Sequence, residues 1–176
     1  DGNKRWARNN NFSSIHGYTK GFENIRTVIK HSLSLKLNNL TIFALSSENF
    51  QRSSVNVIYD IIYDNFSKYL NELIRDHGVK IQIFGSRSNL PKRIIEIFNN
   101  IENLSSKNKD LNLNIAFNYG FKNEVKNILK NLIHNNININ FDKDDELNKL
   151  FFLNNVSDPD LLIRTGGYQR LSNFIM

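Results

Sequence analysis

Cysteine is absent from the 176 residues of this chain, and proline, tryptophan and methionine are scarce, with two, one and one copies. Without cysteine, the chain forms no disulfide bond, offers no thiolate nucleophile and supplies no cysteine ligand for zinc. Its four histidines show none of the spacings typical of a metal site. The sequence also lacks the Walker A, GxGxxG, GxSxG and RNP-type motifs. The absence of cysteine excludes thiol chemistry. The absence of these motifs means that no such signature indicates nucleotide binding, hydrolysis or RNA binding.

Long apolar runs are missing as well. No segment is long enough to span a bilayer, and no secretory signal peptide is visible. We therefore expect a cytoplasmic protein, with or without membrane association. The chain is 40% hydrophobic and 23% charged, as globular proteins are, and its length suits one domain. Its net charge of +6 makes nucleic acid, a membrane surface and a phosphorylated metabolite candidate partners.

Apolar runs and helical stripes alternate along the chain. Four short runs read as strands, at Leu40–Ser46, Lys80–Gly85, Leu111–Asn118 and Asp160–Ile163. Helical periodicity predicts helices over residues 22–33, 57–73, 91–101, 125–132 and 144–153. This alternation predicts an α/β fold with a single mainly parallel β-sheet flanked by helices on both faces. No linker, internal repeat or second domain is visible.

Polar residues follow each predicted strand, in the runs SSENFQR, GSRS, NYGFKNE and RTGGYQRLS. In open α/β sheets, ligands bind beyond the carboxyl ends of the strands, so these four loops should share one edge. Arginine forks, serine hydroxyls and glycine backbone are the groups that bind phosphate oxygens. The pattern favours an anion site, and a solvated polar edge is the alternative.

Three further runs allow two interpretations each. In DGNKRWA, the carboxylate of Asp1 could hold Mg²⁺ beside a phosphate, or the aspartate and glycine could form a simple turn. HGYTKG opens a predicted helix, whose terminal amides could cradle an anion or only be capped. DKDDEL could be an acidic metal motif, but the start of a helix is favoured because carboxylates there oppose the helix dipole.

Taken in order, DGNKRWA, SSENFQR, NIAFNYG and DPDLLIRTGGYQRLSNF resemble the motifs of the cis-prenyltransferases over nearly the whole chain. The resemblance implies an Mg²⁺-dependent enzyme that condenses an allylic diphosphate, farnesyl diphosphate, with successive isopentenyl diphosphates to give a long Z-polyprenyl diphosphate. It also implies a homodimer, a peripheral membrane contact and no nucleic-acid partner. Residues 1–176 would form one domain that lacks the family's N-terminal strand and C-terminal segment.

The resemblance also assigns site residues. Asp1 would carry the Mg²⁺ required for catalysis, and Asn49 would take part in proton removal. The allylic diphosphate loop would comprise Gly2, Asn3, Lys4, Arg5 and Trp6. The SSENFQR motif would bind substrate through Ser46, Ser47, Glu48, Phe50 and Arg52. The isopentenyl diphosphate site would comprise Arg164, Arg170, Leu171 and Ser172.

The chain departs from the family pattern at several positions. Tyr18 stands where histidine is usual, Ser14 where arginine is frequent, and Tyr168 where glutamate is frequent. One alternative function is therefore that of a non-catalytic partner subunit of a prenyltransferase. A nucleic-acid-binding α/β protein is a second alternative, which is disfavoured because lysine and arginine are scattered among acidic neighbours instead of forming a stripe.

Overall fold

A parallel β-sheet forms the centre of the computed structural model, which describes residues 2–50, 55–63, 67–140 and 142–175. The elements in these ranges are α1 (Asn3–Asn9), α2 (Ser14–Ser34), β1 (Asn39–Ser46), α3 (Ser47–Phe50), α4 (Val55–Ile61), α5 (Ser67–His77), β2 (Val79–Phe84), α6 (Lys92–Ser105), β3 (Leu111–Tyr119), α7 (Phe121–His134) and α8 (Asp144–Asn148). The strand order is β1-β3-β2, and both neighbouring pairs are parallel. The predicted α/β class with a parallel sheet is confirmed.

Strand β3 is the central strand and is almost wholly buried, as its near-continuous apolar sequence predicts. The buried apolar side chains form a larger and a smaller core cluster. Alternate residues from Leu111 to Phe117 belong to the larger cluster, whereas Ala116 belongs to the smaller one. Asn118 has a positive φ of 51°, and the next residue, Tyr119, joins the smaller cluster. We infer that the left-handed asparagine reverses the side-chain alternation at the carboxyl end of the strand.

The larger cluster is built by helical stripes that pack on the sheet. On α6, Ile94, Phe98 and Ile101 are spaced by four and three residues and are at most 1% exposed. On α5, Leu70 and Leu73 are spaced in the same way and are fully buried. Such spacing places side chains on one face of a helix, so each helix buries a continuous apolar stripe.

A buried carboxylate anchors the smaller cluster. Glu124 of α7 accepts hydrogen bonds from the Tyr119 hydroxyl (2.7 Å) and from the backbone N–H of Phe152 (2.7 Å). Burial, reinforced by the hydrogen bond to Glu124, raises the pKa of Tyr119 far above its ordinary value. The three groups tie the end of β3 to α7 and to the C-terminal part of the chain.

Several helix boundaries differ from the predictions. The helix predicted over residues 57–73 is described as α4 and α5, with residues 64–66 outside the described ranges. Helix α1 was not predicted, because residues 1–7 were interpreted as a ligand loop or a turn. Helix α8 ends at Asn148, five residues before the predicted end, and turns follow it.

The prediction of a strand at Asp160–Ile163 is wrong. Residues 160–163 pair with none of the three strands, and Leu161, Leu162 and Ile163 are 75%, 44% and 77% exposed. A run of three apolar residues signals a preference for burial, but a strand also needs a sheet edge that supplies hydrogen-bond partners. In the described part of the chain, this run takes up no such edge.

Candidate functional site

The carboxyl ends of β1 and β3 meet a segment from the far end of the chain. The backbone carbonyl of Asn173 accepts a hydrogen bond from the Phe121 N–H (2.9 Å), and its Oδ1 accepts one from the Lys122 N–H (2.8 Å). The ring of Phe174 stacks on Phe43 of β1 with centroids 4.6 Å apart. These contacts hold the preceding polar loop close to the edge of the sheet, although no strand leads into it.

That polar loop, RTGGYQRLS, is named the glycine loop below. Gly166 and Gly167 have left-handed φ values of 92° and 78°, which glycine adopts without strain. The Arg164 guanidinium donates to the Ser172 Oγ (2.8 Å) and to the backbone carbonyl of Arg170. Arg164 therefore closes the loop on itself and fixes the backbone that carries Arg170.

Helix α1 contacts the glycine loop through Arg5. Its guanidinium donates to the backbone carbonyl of Gly166. Its Cζ lies 4.8 Å from the centroid of the Tyr168 ring, and the Cζ of Arg170 lies 5.2 Å from the same centroid. The two runs predicted to bind different diphosphates are thus in direct contact.

Cations line an open cleft beside this contact. Arg8 lies four residues after Lys4 and three after Arg5, so the three cations share one side of α1. The cleft has a volume of about 740 Å³ and is lined by Lys4, Arg5, Arg8, Asn11, Phe12, Ser13 and Ser14. The start of α2 adds the partial positive charge of a helix N-terminus. The cleft is therefore suited to an anion.

The prediction that HGYTKG opens a helix is wrong by two residues. Helix α2 begins at Ser14, and the Oγ of its N-cap, Ser13, accepts a hydrogen bond from the His16 N–H (3.2 Å). A Cβ at Gly17 would lie 2.4 Å from the carbonyl oxygen of Asn3, and one at Gly21 would lie 2.5 Å from the Asn3 side-chain nitrogen. Both glycines thus serve the close packing of α1 on α2, which positions the cations of α1.

The SSENFQR motif lies at the same edge of the sheet. The Ser46 Oγ accepts a hydrogen bond from the backbone N–H of Asn49 (3.2 Å) and caps the short helix α3. A Cβ at Gly120 would lie 2.6 Å from the Ser47 Oγ, so Ser47 packs on the β3–α7 junction. Glu48 and Asn49 are exposed. Their side chains are accessible to a ligand at this edge.

The aromatic residues predicted to bind substrate have different surroundings. Phe50 is partly buried against the larger core cluster. Trp6 is 43% exposed and stacks with Phe12 and His16, at centroid distances of 5.8 and 6.2 Å. Leu171 is 46% exposed at the end of the glycine loop. Trp6 therefore packs on Phe12, which lines the cleft beside α1, whereas Phe50 contributes to the core.

Two predicted residues, Asp1 and Arg52, lie outside the described residues. Gly2 is the N-cap of α1, with a left-handed φ of 79°, and its carbonyl accepts the Trp6 N–H (2.9 Å). Asn3 faces α2, as its distances to Gly17 and Gly21 show. The allylic loop inferred from the sequence is thus mostly the first turn of a helix.

The described residues contain no group of three or more histidine, aspartate or glutamate side chains that could hold a metal ion. The DKDDEL run forms the first turns of α8, and Glu146 accepts a hydrogen bond from the Asn140 N–H (3.1 Å), so the favoured helix start is confirmed. The donors described at the sheet edge are mainly cations and hydroxyls. They suit the oxygens of an anion.

The GSRS loop does not present its arginine to the site. Arg87 donates to the Ile83 carbonyl (2.9 Å) and to Glu102 Oε2 (3.0 Å), and it lies over the Phe98 ring. Glu102 Oε1 accepts the Ile83 N–H (2.7 Å). The expectation that this loop contributes a phosphate-binding arginine is therefore wrong, because Arg87 is already paired with a carboxylate of α6.

Sequence reasoning missed several residues that the structure brings to the site. Arg8 lies four residues after Lys4, a spacing that would have indicated a shared face if α1 had been predicted as a helix. Tyr168 was noted only as a departure from a pattern. Asn173 carried no sequence signal, because its two backbone partners come from a junction 51 and 52 residues away.

No helix among the described residues is both long and apolar enough to cross a membrane.

Comparisons with known proteins agree with this architecture. The family model for "Putative undecaprenyl diphosphate synthase" matches residues 1–176. A geranylgeranyl-diphosphate-specific tritrans,polycis-undecaprenyl-diphosphate synthase of Picrophilus torridus is 31% identical over 184 residues, covering 100% of this chain and 72% of that protein. An isoprenyl transferase of Thermotoga maritima is 33% identical over 184 residues, covering 100% of this chain and 77% of that protein.

Solved structures share the fold. Lavandulyl diphosphate synthase from Lavandula x intermedia, in complex with dimethylallyl diphosphate, superposes with a TM-score of 0.86 at 28% identity, covering 100% of this chain and 78% of that one. A probable undecaprenyl diphosphate synthase from Campylobacter jejuni has a TM-score of 0.70 at 26% identity, covering 88% and 74%. A family match over the whole length, together with these relatives, establishes that the chain belongs to the undecaprenyl diphosphate synthase family of cis-prenyltransferases.

Proposed function

We propose that this chain elongates farnesyl diphosphate with successive isopentenyl diphosphates to give a long Z-polyprenyl diphosphate. One observation carries the proposal: Arg5 of α1 and Arg170 of the glycine loop lie against the same ring at one edge of the sheet. A reaction between two diphosphates needs two cationic subsites close together. Arginine is suited to both, because its planar fork binds phosphate oxygens through two hydrogen bonds.

The substrates are assigned to the subsites as follows. The allylic diphosphate lies at the cationic side of α1, near Lys4 and Arg5. Isopentenyl diphosphate lies at the glycine loop, where Arg170 is exposed and Arg164 donates to Ser172. In each cycle a carbon–carbon bond forms to the isopentenyl double bond as the allylic carbon–oxygen bond breaks. One proton and one inorganic pyrophosphate are released, and the diphosphate product is five carbons longer.

Proton removal is assigned to the region of Asn49. Its backbone N–H is held by Ser46, and the residue is exposed at the sheet edge. An amide is a weak base, so Asn49 would orient a phosphate oxygen or a water molecule that accepts the proton. The Asn49 side chain would hold this proton acceptor in position, so even a conservative substitution would disturb proton removal.

Mg²⁺ is the proposed cofactor, and Asp1 the proposed protein ligand. Magnesium is commonly held by one or two carboxylates together with substrate phosphate oxygens, so a site with a single carboxylate suits a diphosphate substrate. When bound, the ion would supply charge neutralisation for the departing diphosphate. Residues 1–176 would act as one domain, and the active form would be a homodimer that contacts membranes peripherally.

The decisive experiment incubates the full-length protein with farnesyl diphosphate, labelled isopentenyl diphosphate and Mg²⁺, and sizes the labelled products. Labelled products that grow in steps of five carbons are expected. Absence of incorporation by a folded protein would overturn the proposal. Incorporation only after a second, related chain is added would identify this chain as a partner subunit instead.

A further inference from the structure

Tyr168 is 52% exposed, and its ring contacts two arginines that are 165 residues apart in sequence. The Cζ atoms of Arg5 and Arg170 lie 4.8 and 5.2 Å from its ring centroid. Within the described ranges, neither guanidinium forms an ion pair with a carboxylate. The aromatic ring is therefore the group that both charges share.

Two neighbouring cations repel each other, and on separate segments they would move apart into solvent. The negative face of an aromatic ring attracts each guanidinium and offsets part of this repulsion. The Arg5 guanidinium also donates a hydrogen bond to the carbonyl of Gly166, two residues before Tyr168. This bond ties α1 to the glycine loop. A flexible or small side chain at position 168 would provide no such attraction.

We propose that Tyr168 is a positioning residue, which holds Arg5 and Arg170 ready for the two diphosphates. The inference deepens the proposed function and rests on it. Because one ring serves both arginines, its loss should weaken both substrates together, whereas loss of either arginine should mainly weaken one. The chemical step itself should be little affected, because the ring contacts the arginines and not the reacting carbons.

The test compares Tyr168→Phe with Tyr168→Leu in the full-length protein. Phenylalanine keeps an aromatic face, and leucine keeps only apolar bulk. We expect Tyr168→Leu to raise the KM of each substrate about two- to fivefold with kcat nearly unchanged, and Tyr168→Phe to stay close to the parent protein. Arg93→Gln is the matched control, because it removes a guanidinium that lies 4.3 Å from the ring of a different tyrosine, Tyr63.

A second readout does not depend on turnover. Calorimetric titration with inorganic pyrophosphate should show weaker binding to Tyr168→Leu than to the parent, and unchanged binding to Tyr168→Phe and Arg93→Gln. Unchanged pyrophosphate binding and unchanged KM in Tyr168→Leu would overturn this inference alone. An equal loss in the phenylalanine variant would also overturn it, since the hydroxyl would then be responsible. A parent protein that binds no pyrophosphate would overturn the proposed function as well.

Discussion

Two arginine-bearing loops look alike in sequence but differ in the structure. GSRS and RTGGYQRLS both combine glycine, serine and arginine, and both were predicted to follow strands. Arg87 of the first loop pairs with Glu102 of α6, and its side chain is 33% exposed. Arg170 of the second loop is exposed and lies against Tyr168, as does Arg5 of α1. The first arginine stabilises the fold, and the second is available to a ligand.

The difference shows that an arginine near a strand end is a ligand candidate only when no carboxylate of the protein neutralises it. Glu102 accepts hydrogen bonds from both the Arg87 guanidinium and the backbone N–H of Ile83, so the charge of Arg87 is paired within the fold. At the glycine loop, a ring supplies attraction without neutralising the charge. A positive potential therefore remains there for an anion.

Removal of divalent metal should have the largest effect. Because Mg²⁺ is proposed to neutralise the charge of the departing diphosphate, EDTA should abolish turnover and added Mg²⁺ should restore it. The Asp1→Ala variant should depress kcat far more than the KM of either substrate. Full turnover in EDTA would show that the arginine side chains suffice, and the role proposed for Asp1 would be wrong.

Substitution of Arg170 should have the next largest effect. Arg170→Ala removes a charge-assisted contact worth about 1.5–3 kcal/mol, which corresponds to roughly a 10- to 150-fold increase in the KM of isopentenyl diphosphate. Chemical denaturation should show an unchanged free energy of unfolding, because the side chain is exposed. Arg170→Lys keeps the charge without the fork and should lie between. Weakened farnesyl diphosphate binding with isopentenyl diphosphate unaffected would reverse the assignment of the subsites.

The packing of α1 on α2 offers a way to move Arg5 without altering it. Gly17→Ala places a methyl group where it would lie 2.4 Å from the Asn3 carbonyl oxygen, so α1 must shift. We expect a loss of stability of about 1–3 kcal/mol and a raised KM for farnesyl diphosphate. Asn24→Ala, at an exposed position of the same helix, is the control and should change neither. A fully active Gly17→Ala protein would show that the position of α1 is unimportant for binding.

Substitution of Arg87 should have the smallest effect, and its effect should be on stability instead of on substrate binding, in contrast to substitution of Arg170. Arg87→Ala breaks a partly exposed ion pair and leaves Glu102 with its backbone partner only, which should cost about 1–2 kcal/mol of stability. Both KM values should stay unchanged at a temperature where the variant is folded. Thermal denaturation and steady-state kinetics measure the two effects separately. A selective increase in either KM would mean that Arg87 also serves substrate binding.

Much of the fold was predictable from local patterns. The three strands of the sheet lie within one residue of their predicted bounds, and the helix that follows Pro91 begins one residue after its predicted start and ends four residues beyond its predicted end. Apolar periodicity directly reports the buried face of such elements. The strand at 160–163 was wrongly predicted, since pairing depends on a distant edge. Helix α1 was not predicted, because both the family resemblance and the Asp-Gly turn signal indicated a loop in this segment.

The sequence by itself determined the parallel sheet, the family and the polar character of one sheet edge, because these follow from local periodicity and from short motifs. Only the tertiary structure decided which cations of that edge face a ligand. Arg87 is neutralised by a carboxylate 15 residues away on α6, whereas Arg5 and Arg170 are brought to one ring by contacts that span almost the whole chain. The charge of an arginine follows from the residue type alone, but its partner is determined by packing between segments that are remote in sequence.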